Sequence, residues 1–438
     1  MKREKLYDPD RIGFKKLFSW QLRGVSVGCV FVVLSYLTIY CTDTLMMPAA
    51  LVGSLLFAAK ILGSVTDIIA GLLIEKTHTR WGKGRPYEFA VLGLWLSTWL
   101  LFSCSGRWSM AAKSIWVFSM YTFAHSIFYT IATANQTPYM IRAFGTQNQI
   151  VKLNSYGGVI VTVGCAIVSM AFPSLMAALA TSAKGWSAMI GILALPLALI
   201  GTLRFFFVKE TLAVADHCEK INFREVLYLL KHNRYVYTIL LLTLLFNMTQ
   251  GINVSSFYFT YIVGDIKKYT YIAMLSVPMM LVMFLFPILM KKYTVSNIMA
   301  FGGVIGVAGG LLNFIAGDSM PLLILGAACV SFAGLPIAYL MTLMILDCAQ
   351  YNEKNGRPRM DALVSALQGV GGKIGQGIGA GILGCVMTWS AYNGAAKVQS
   401  AAAMTAVRVC YSLVPALLFF LIILIARSYK LDKELKKA

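Results

Sequence analysis

The sequence predicts an all-α membrane protein with twelve transmembrane helices in two six-helix halves. Three observations predict it. Hydrophobic residues make up 58% of the 438 and charged residues only 13%, with a mean hydropathy of +0.72, whereas a soluble domain carries about 25% charged residues. Twelve apolar runs are each long enough to cross a bilayer as a helix. The longest polar interruption, VKETLAVADHCEKINFREVLYLLKHNR, falls after the sixth run and divides the chain at 1–208, a central loop at 209–234, and 235–438.

The runs follow in order. The first, near 20–42, comes after the polar start MKREKLYDPDRIGFKKLF and passes Leu37 without a small-residue cleavage pattern, so a retained span is expected rather than a signal peptide. The second, 48–75, contains Lys60 and Asp67. The next four lie at 87–105, 112–138 (with His125), 154–180 and 186–208. The second half reads 235–263, 269–290, 297–316, 320–346, 361–388 (with Lys373) and 404–426.

The net charge of +20 would suit nucleic acid, but its placement argues otherwise. With the amino terminus in the cytoplasm, the outer side collects only Arg107, Lys113, Lys184, Lys267, Lys268, Lys397 and Arg408. Lys60 and Lys373 fall inside spans, and the remaining 29 of the 38 lysines and arginines are cytoplasmic. That asymmetry is a topology signal and predicts a multi-pass inner (plasma) membrane protein with both termini cytoplasmic. Two six-span halves and a long cytoplasmic middle loop fit the major facilitator architecture, in which substrate binds near the midplane between the halves.

The nine cysteines lack a C-x-x-C pair and lie mostly in apolar runs, as small packing residues. The four histidines share no ligand spacing, so no metal or other cofactor is expected. With no phosphate loop, nucleophile triad or metal motif, no enzymatic turnover is expected either.

Ionisable residues inside spans cost roughly 2.5–3.5 kcal/mol each on insertion scales, so each is a functional candidate. Asp67 shares a helix face with Gly63 and Gly71, and Thr66 and Ser64 are nearby oxygens. Asp67, with Thr66, is a candidate for cation coupling; partnering a buried lysine is the plain structural alternative. Lys373 sits in the glycine-rich SALQGVGGKIGQGIGAGILG and needs a counter-ion, a wet cavity or an anionic substrate; a pair with Asp67 across the halves is the economical expectation. Lys60 is expected to snorkel to the interface. His125 shares a face with Tyr129 and Gln136; it could carry protons near neutral pH or simply pack. Thr130, Thr133 and Asn135 add polar groups to the fourth span, and Asn247, Gln250 and Asn253 form a polar line on the seventh. Gln368 and Gln376 lie on the eleventh, and Lys373, His125, Tyr129, Thr133, Asn135, Asn247, Gln250, Gln368 and Gln376 make up the expected substrate cavity.

The run GLLIEKTHTRWGKGRPY resembles the signature after the second span of the glycoside–pentoside–hexuronide:cation symporters. YLTIYCTD at 36–43, FYFTYIVGD at 257–265 and LDCAQYNEKNGRPRMDALVSALQGVGGK at 346–373 are similar to that family's end of span one, end of span seven, and loop into span eleven. The four pieces lie in register across both halves. The resemblance implies a major facilitator fold and sugar or glycoside uptake coupled to Na⁺, Li⁺ or H⁺. It implies that Asp67 matches an acid of the cation site, Lys373 the lysine beside it, and Thr130 a threonine next to both.

The sequence also departs from the pattern. The family's other acid on span two is Gly63 here. A sugar-binding acid on span one falls near Val27 and Ser26, a sugar-binding arginine on span five at Gly157, and an acid on span four at Thr133 or a neighbour. One acid facing one lysine favours H⁺ coupling, a reduced Na⁺ site, or uncoupled transport. Arg80, Lys83 and Arg85 of the first half and Asp347, Glu353, Arg359 and Asp361 of the second are expected to form a cytoplasmic gate of ion pairs. The expected function is symport of a sugar, glycoside or related small polar solute by a single chain in the bilayer, with no nucleic acid partner. A lipid or amphiphile transporter on the same fold is the alternative.

Overall fold

In a computed structural model the described residues are 12–432, except 78, 83, 145–146, 212–227, 230, 283–284, 357–360, 395 and 397. All the regular secondary structure among the described residues is helical, apart from one isolated bridge between Thr79 and Gly82. In hydrocarbon every backbone N–H and C=O must be satisfied within its own segment, so apolar runs of this length have no other stable form.

Before the 212–227 segment lie α1 (Phe14–Leu34), α2 (Ala49–Lys76), α3 (Ala90–Leu101), α4 (Met110–Ala134), α5 (Gln147–Leu179) and α6 (Ala183–Phe207). After it lie α7 (Tyr235–Gly251), α8 (Ser255–Tyr261), α9 (Tyr269–Ala273), α10 (Ser276–Val282) and α11 (Phe286–Lys292). The chain closes with α12 (Val295–Ala316), α13 (Met320–Lys354), α14 (Asp361–Trp389), α15 (Ala401–Tyr411) and α16 (Leu413–Ser428). Each expected apolar run carries helix among its described residues. Nine helical segments among the described residues are long and apolar enough to cross a membrane. The runs expected at 87–105 and 269–290 appear as a shorter helix and as three short pieces. Local chemistry starts several elements: Ser109, Ser182 and Ser400 each accept a backbone N–H three residues on, capping α4, α6 and α15.

Two seams join the helices on either side of 212–227. One is α2 against α14 and the other is α5 against α9 and α10. The first runs antiparallel, with Gly53 opposite Gly384, Phe57 opposite Gly377 and Lys60 opposite Gln376. Its closest approach, where Gly53 meets Gly384, is possible only because neither residue carries a side chain. A Cβ on Gly384 would lie 2.6 Å from the Ala49 carbonyl oxygen, and one on Gly53 2.8 Å from that of Ala380. The other side of α14 meets α7 as tightly: a Cβ on Gly379 would sit 2.3 Å from the Met248 carbonyl oxygen. Small residues let membrane helices approach to backbone contact.

The antiparallel seam puts both described chain ends at one face. At the opposite face the two sets are sealed. The Asp43 carboxylate accepts from the Thr42 hydroxyl at 2.7 Å, from the Tyr261 hydroxyl at 2.6 Å and from the Tyr392 hydroxyl. Nearby, the Ala50 N–H donates to Thr388 Oγ1 at 3.0 Å and Thr270 Oγ1 to the Met170 carbonyl at 3.1 Å. Tyr36 stacks on Phe172 with centroids 4.4 Å apart and meets Tyr269 edge-on. At the face carrying the chain ends, the described contacts lie within each set. Glu210 accepts from the Gly84 and Arg85 N–H groups, and Asn233 Nδ2 donates to Asn352 Oδ1 at 2.9 Å.

Candidate functional site

A cavity of about 340 Å³ lies between the two sets at mid-depth. Phe31 of α1, His125 and Tyr129 of α4, Thr243 and Asn247 of α7, and Gln368, Lys373 and Gln376 of α14 line it. It follows α14 from Gln376 to Ser365, towards the face that carries the chain ends. Six of the nine expected cavity residues therefore meet here: Lys373, His125, Tyr129, Asn247, Gln368 and Gln376.

Lys373 crosses between the sets. Its Nζ donates to the Gly63 carbonyl at 2.9 Å and to Thr130 Oγ1 at 3.2 Å. Thr130 is only 1% exposed. A Cβ on Gly63 would lie 3.4 Å from that Nζ and 3.1 Å from Ser126 Oγ. The glycine thus admits the ammonium group to the helix backbone itself, one turn before Asp67. Thr66 Oγ1 donates to the Gly63 carbonyl at 3.0 Å and also to the Ser126 carbonyl, tying α2 to α4. The side chain of Asp67 lies outside the described residues.

A second crossing was not expected. Lys60 does not snorkel: it is 8% exposed, and its Nζ donates to Gln376 Oε1 at 3.3 Å. Gln376 Nε2 donates to Asn247 Oδ1 at 3.1 Å, and Asn247 Nδ2 to the Thr243 carbonyl at 2.9 Å. This is a continuous polar chain from α2 through α14 to α7. Its sequence signal was available, because Lys60, Gly63 and Asp67 follow the i, i+3, i+7 spacing of one helix face.

His125 lies in a π-helical turn, Thr122–Phe128, a distortion common at functional sites. Its ring stacks on Tyr121 at 5.3 Å and packs against Tyr129 at 5.6 Å and Phe31 at 6.0 Å. No hydrogen-bond partner of its Nδ1 is seen among the described residues. The histidine is an aromatic wall of the cavity.

Three expected cavity residues lie elsewhere. Thr133 is exposed and its hydroxyl donates into its own helix, to the carbonyls of Tyr129 (2.9 Å) and Thr130 (3.1 Å). Asn135 is fully buried, and its Nδ2 donates to Glu88 Oε1 at 3.0 Å. It belongs to a charged cluster near the chain-end face, where Arg23 Nε lies 3.3 Å from Glu88 Oε2 and Arg204 Nε 3.7 Å from Oε1. The Arg204 guanidinium also stacks 3.2 Å over the Trp20 ring. Gln250, one turn beyond Asn247, lines a different cavity inside the second set.

The expected gate pairs are not joined among the described residues. Arg80 lies over Trp81, and Arg85 Nε donates to the Phe205 carbonyl at 2.7 Å. Asp347 accepts from the Tyr429 hydroxyl at 3.4 Å and Glu353 is exposed. Lys83, Arg359 and the side chain of Asp361 lie outside the described residues. These charges stand on the face that carries the chain ends, opposite the seal. The seal residues Asp43, Tyr261 and Tyr392 lie far apart in the sequence, so no local pattern groups them. Of the cysteines, Cys29, Cys41, Cys104, Cys348 and Cys410 are buried, in keeping with packing.

The description "MFS/sugar transport protein" matches residues 26–433. The isoprimeverose transporter of Lactiplantibacillus pentosus is 26% identical over 442 aligned residues, which cover 96% of this chain and 90% of that protein. The glucuronide carrier protein homolog of Escherichia coli is 24% identical, covering 98% and 95%. An inward-facing, unoccupied bacterial homolog of the human lysosomal transporter Spinster superposes with a TM-score of 0.70 at 14% identity, over 95% of this chain and 97% of that one; at that identity the likeness concerns the fold alone. A cavity between two helix sets, sealed at one face, is the arrangement a carrier needs, and the match along nearly the whole chain agrees with it: the protein belongs to the MFS/sugar transport protein family, as its resemblance to the glycoside–pentoside–hexuronide:cation symporters implies.

Proposed function

We propose that this chain carries a sugar, glycoside or related small polar solute across the plasma membrane by alternating access, coupled to H⁺ or Na⁺. One observation carries the reading: the central cavity lies between two helix sets that are sealed together at one face, and Lys373 of one set reaches the Gly63 carbonyl and Thr130 of the other. Solute would sit against Asn247, Gln368 and Gln376, whose amides offer paired donors and acceptors to hydroxyl groups. Cation binding would be felt at Asp67, with Lys373 and Thr130 as neighbours. With both termini in the cytoplasm, the sealed face is the outer one and the cavity faces inward. Rocking of 12–211 against 228–432 would then alternate access, and Arg80, Lys83, Arg85, Asp347, Glu353, Arg359 and Asp361 would meet when the inner face closes.

The amide-rich lining supports a hydroxylated solute over a lipid, which would be served by an apolar cleft. The test is uptake into proteoliposomes of a panel of neutral and acidic sugars under imposed H⁺ or Na⁺ gradients, with Asp67→Asn beside the unmodified chain. Accumulation against a gradient in the unmodified chain, and only exchange in the variant, is expected. Accumulation by Asp67→Asn would remove the acid from the coupling site.

A further inference from the structure

The second set contains its own cavity, of about 390 Å³, on the side of α7 that carries Gln250. Two transmembrane segments are irregular where they border it. The seventh unwinds between α7 and α8, where the Asn253 and Val254 N–H groups turn back onto the carbonyls of Gly251 and Ile252 at 3.0 and 2.9 Å. The twelfth is interrupted at Ser412 alone, whose N–H still donates to the Arg408 carbonyl at 3.1 Å, and Cys410 and Tyr411 beside it form part of the wall. Irregular backbone at membrane depth is tolerated where it is buried in protein or lines a polar cavity, and discontinuous helices mark binding sites in transporters. Here the unwound stretch 252–254 and the single irregular residue Ser412 border one space.

The lining has a definite chemistry. Not one of its described residues is charged. Gln250, Thr249, Ser331 and Asn313 supply amide and hydroxyl groups, while Tyr269 and Tyr411 supply flat rings. Asn313 is 2% exposed; its Oδ1 lies against Gly326 of α13, where a Cβ would come within 2.2 Å of it. Amides beside ring faces suit a pyranose-like solute, whose C–H face packs on an aromatic ring while its edge hydroxyls meet the amides. The absence of charge excludes acidic and cationic ligands as the natural fit.

We propose that this cavity is a second binding site, for a neutral hydroxylated ring, separate from the central cavity and lying beside it along α7. The inference shares a solute class with the proposed function but rests on different residues.

The test uses the full chain in lipid nanodiscs, with Ser331→Cys as a reporter that lines the cavity. Modification of position 331 by N-ethylmaleimide is followed by mass spectrometry, with and without D-xylose, methyl β-glucoside or glucuronate. A neutral sugar at ten times its dissociation constant should slow modification by about tenfold, and glucuronate should not. Protection should persist when Gln376→Ala is added, which alters only the central cavity. It should be lost with Gln250→Leu, and with Asn313→Leu if that variant still elutes as a folded monomer. Three results would overturn the proposal: unchanged modification with every neutral sugar, protection abolished by Gln376→Ala but kept by Gln250→Leu, or suppression by dodecyl maltoside alone. Uptake assays on the same variants separate the two readings. Loss of transport with intact protection at 331 would strike the central site and leave this one standing.

Discussion

The seal around Asp43 makes a quantitative prediction about the balance of states. Two of the three hydroxyls that donate to its carboxylate, those of Tyr261 and Tyr392, come from the other helix set. Changing each tyrosine to phenylalanine removes the hydroxyl and keeps the ring, so the packing of Phe257 on Tyr392 at 5.5 Å survives. A hydrogen bond to a charged group contributes about 1.5–3 kcal/mol. Each change should therefore shift the equilibrium towards opening of this face by about 10- to 150-fold, and the double variant by the product if the two are independent. Spin labels at the exposed positions 107 and 267, on opposite sets, report the change as a longer distance population. The same pair gives a pH test. Burial pushes the Asp43 carboxyl upward in the sealed state, while the hydrogen bonds from Tyr261, Tyr392 and Thr42 pull it back. A carboxyl raised in the sealed state binds its proton preferentially there. Acid should accordingly favour sealing, and that contribution is lost as pH rises through the sealed-state value. An unchanged distance distribution in the double variant at neutral pH would refute the argument that these hydrogen bonds hold the face closed.

Three other perturbations have defined outcomes. Glu88→Gln leaves Arg23 and Arg204 buried without their counter-charge and should cost about 3–5 kcal/mol, read as a fall in the thermal midpoint of monomer recovery on size exclusion. Gly379→Val drives a side chain into the Met248 carbonyl, which is backbone and cannot step aside; no folded monomer is expected, whereas Gly369→Ala, with nothing within 4 Å, should elute normally. Lys60→Met keeps the volume of the stem and removes the link to Gln376, so solute uptake should fall while monomer yield is kept; equal uptake would make Lys60 a packing residue.

The helix plan was legible because the bilayer imposes it: length and apolarity alone locate spans, and the polar 209–234 run divides them. Cavity membership was harder to read. In helices that are apolar nearly all round, the periodic signal that tells inside from outside is weak. Asn135 and Thr133 sit within a few residues of Tyr129, yet one is held by Glu88 and the other is turned out of the cavity. Depth in the span alone puts Lys60 at the membrane interface, but its rotation about α2 carries it inward to Gln376. Gln250 and Asn247 lie one turn apart on one polar line of α7, yet they line two different cavities. The Asp43 cluster joins three distant segments, and no local pattern announces such a meeting.

The glycine seam between α2 and α14 has a mechanical consequence. Interlocked side chains resist sliding, because each must leave its rotamer before the surfaces can move. Where Gly53 faces Gly384 there is little to disengage, so the seam works as a low-friction bearing. Resistance to rocking then concentrates in a few polar latches, at Asp43, Lys60 and Lys373. A carrier built this way can be tipped by a small ligand, because a differential affinity of about 5.5 kcal/mol takes a two-state equilibrium from 1:99 to 99:1.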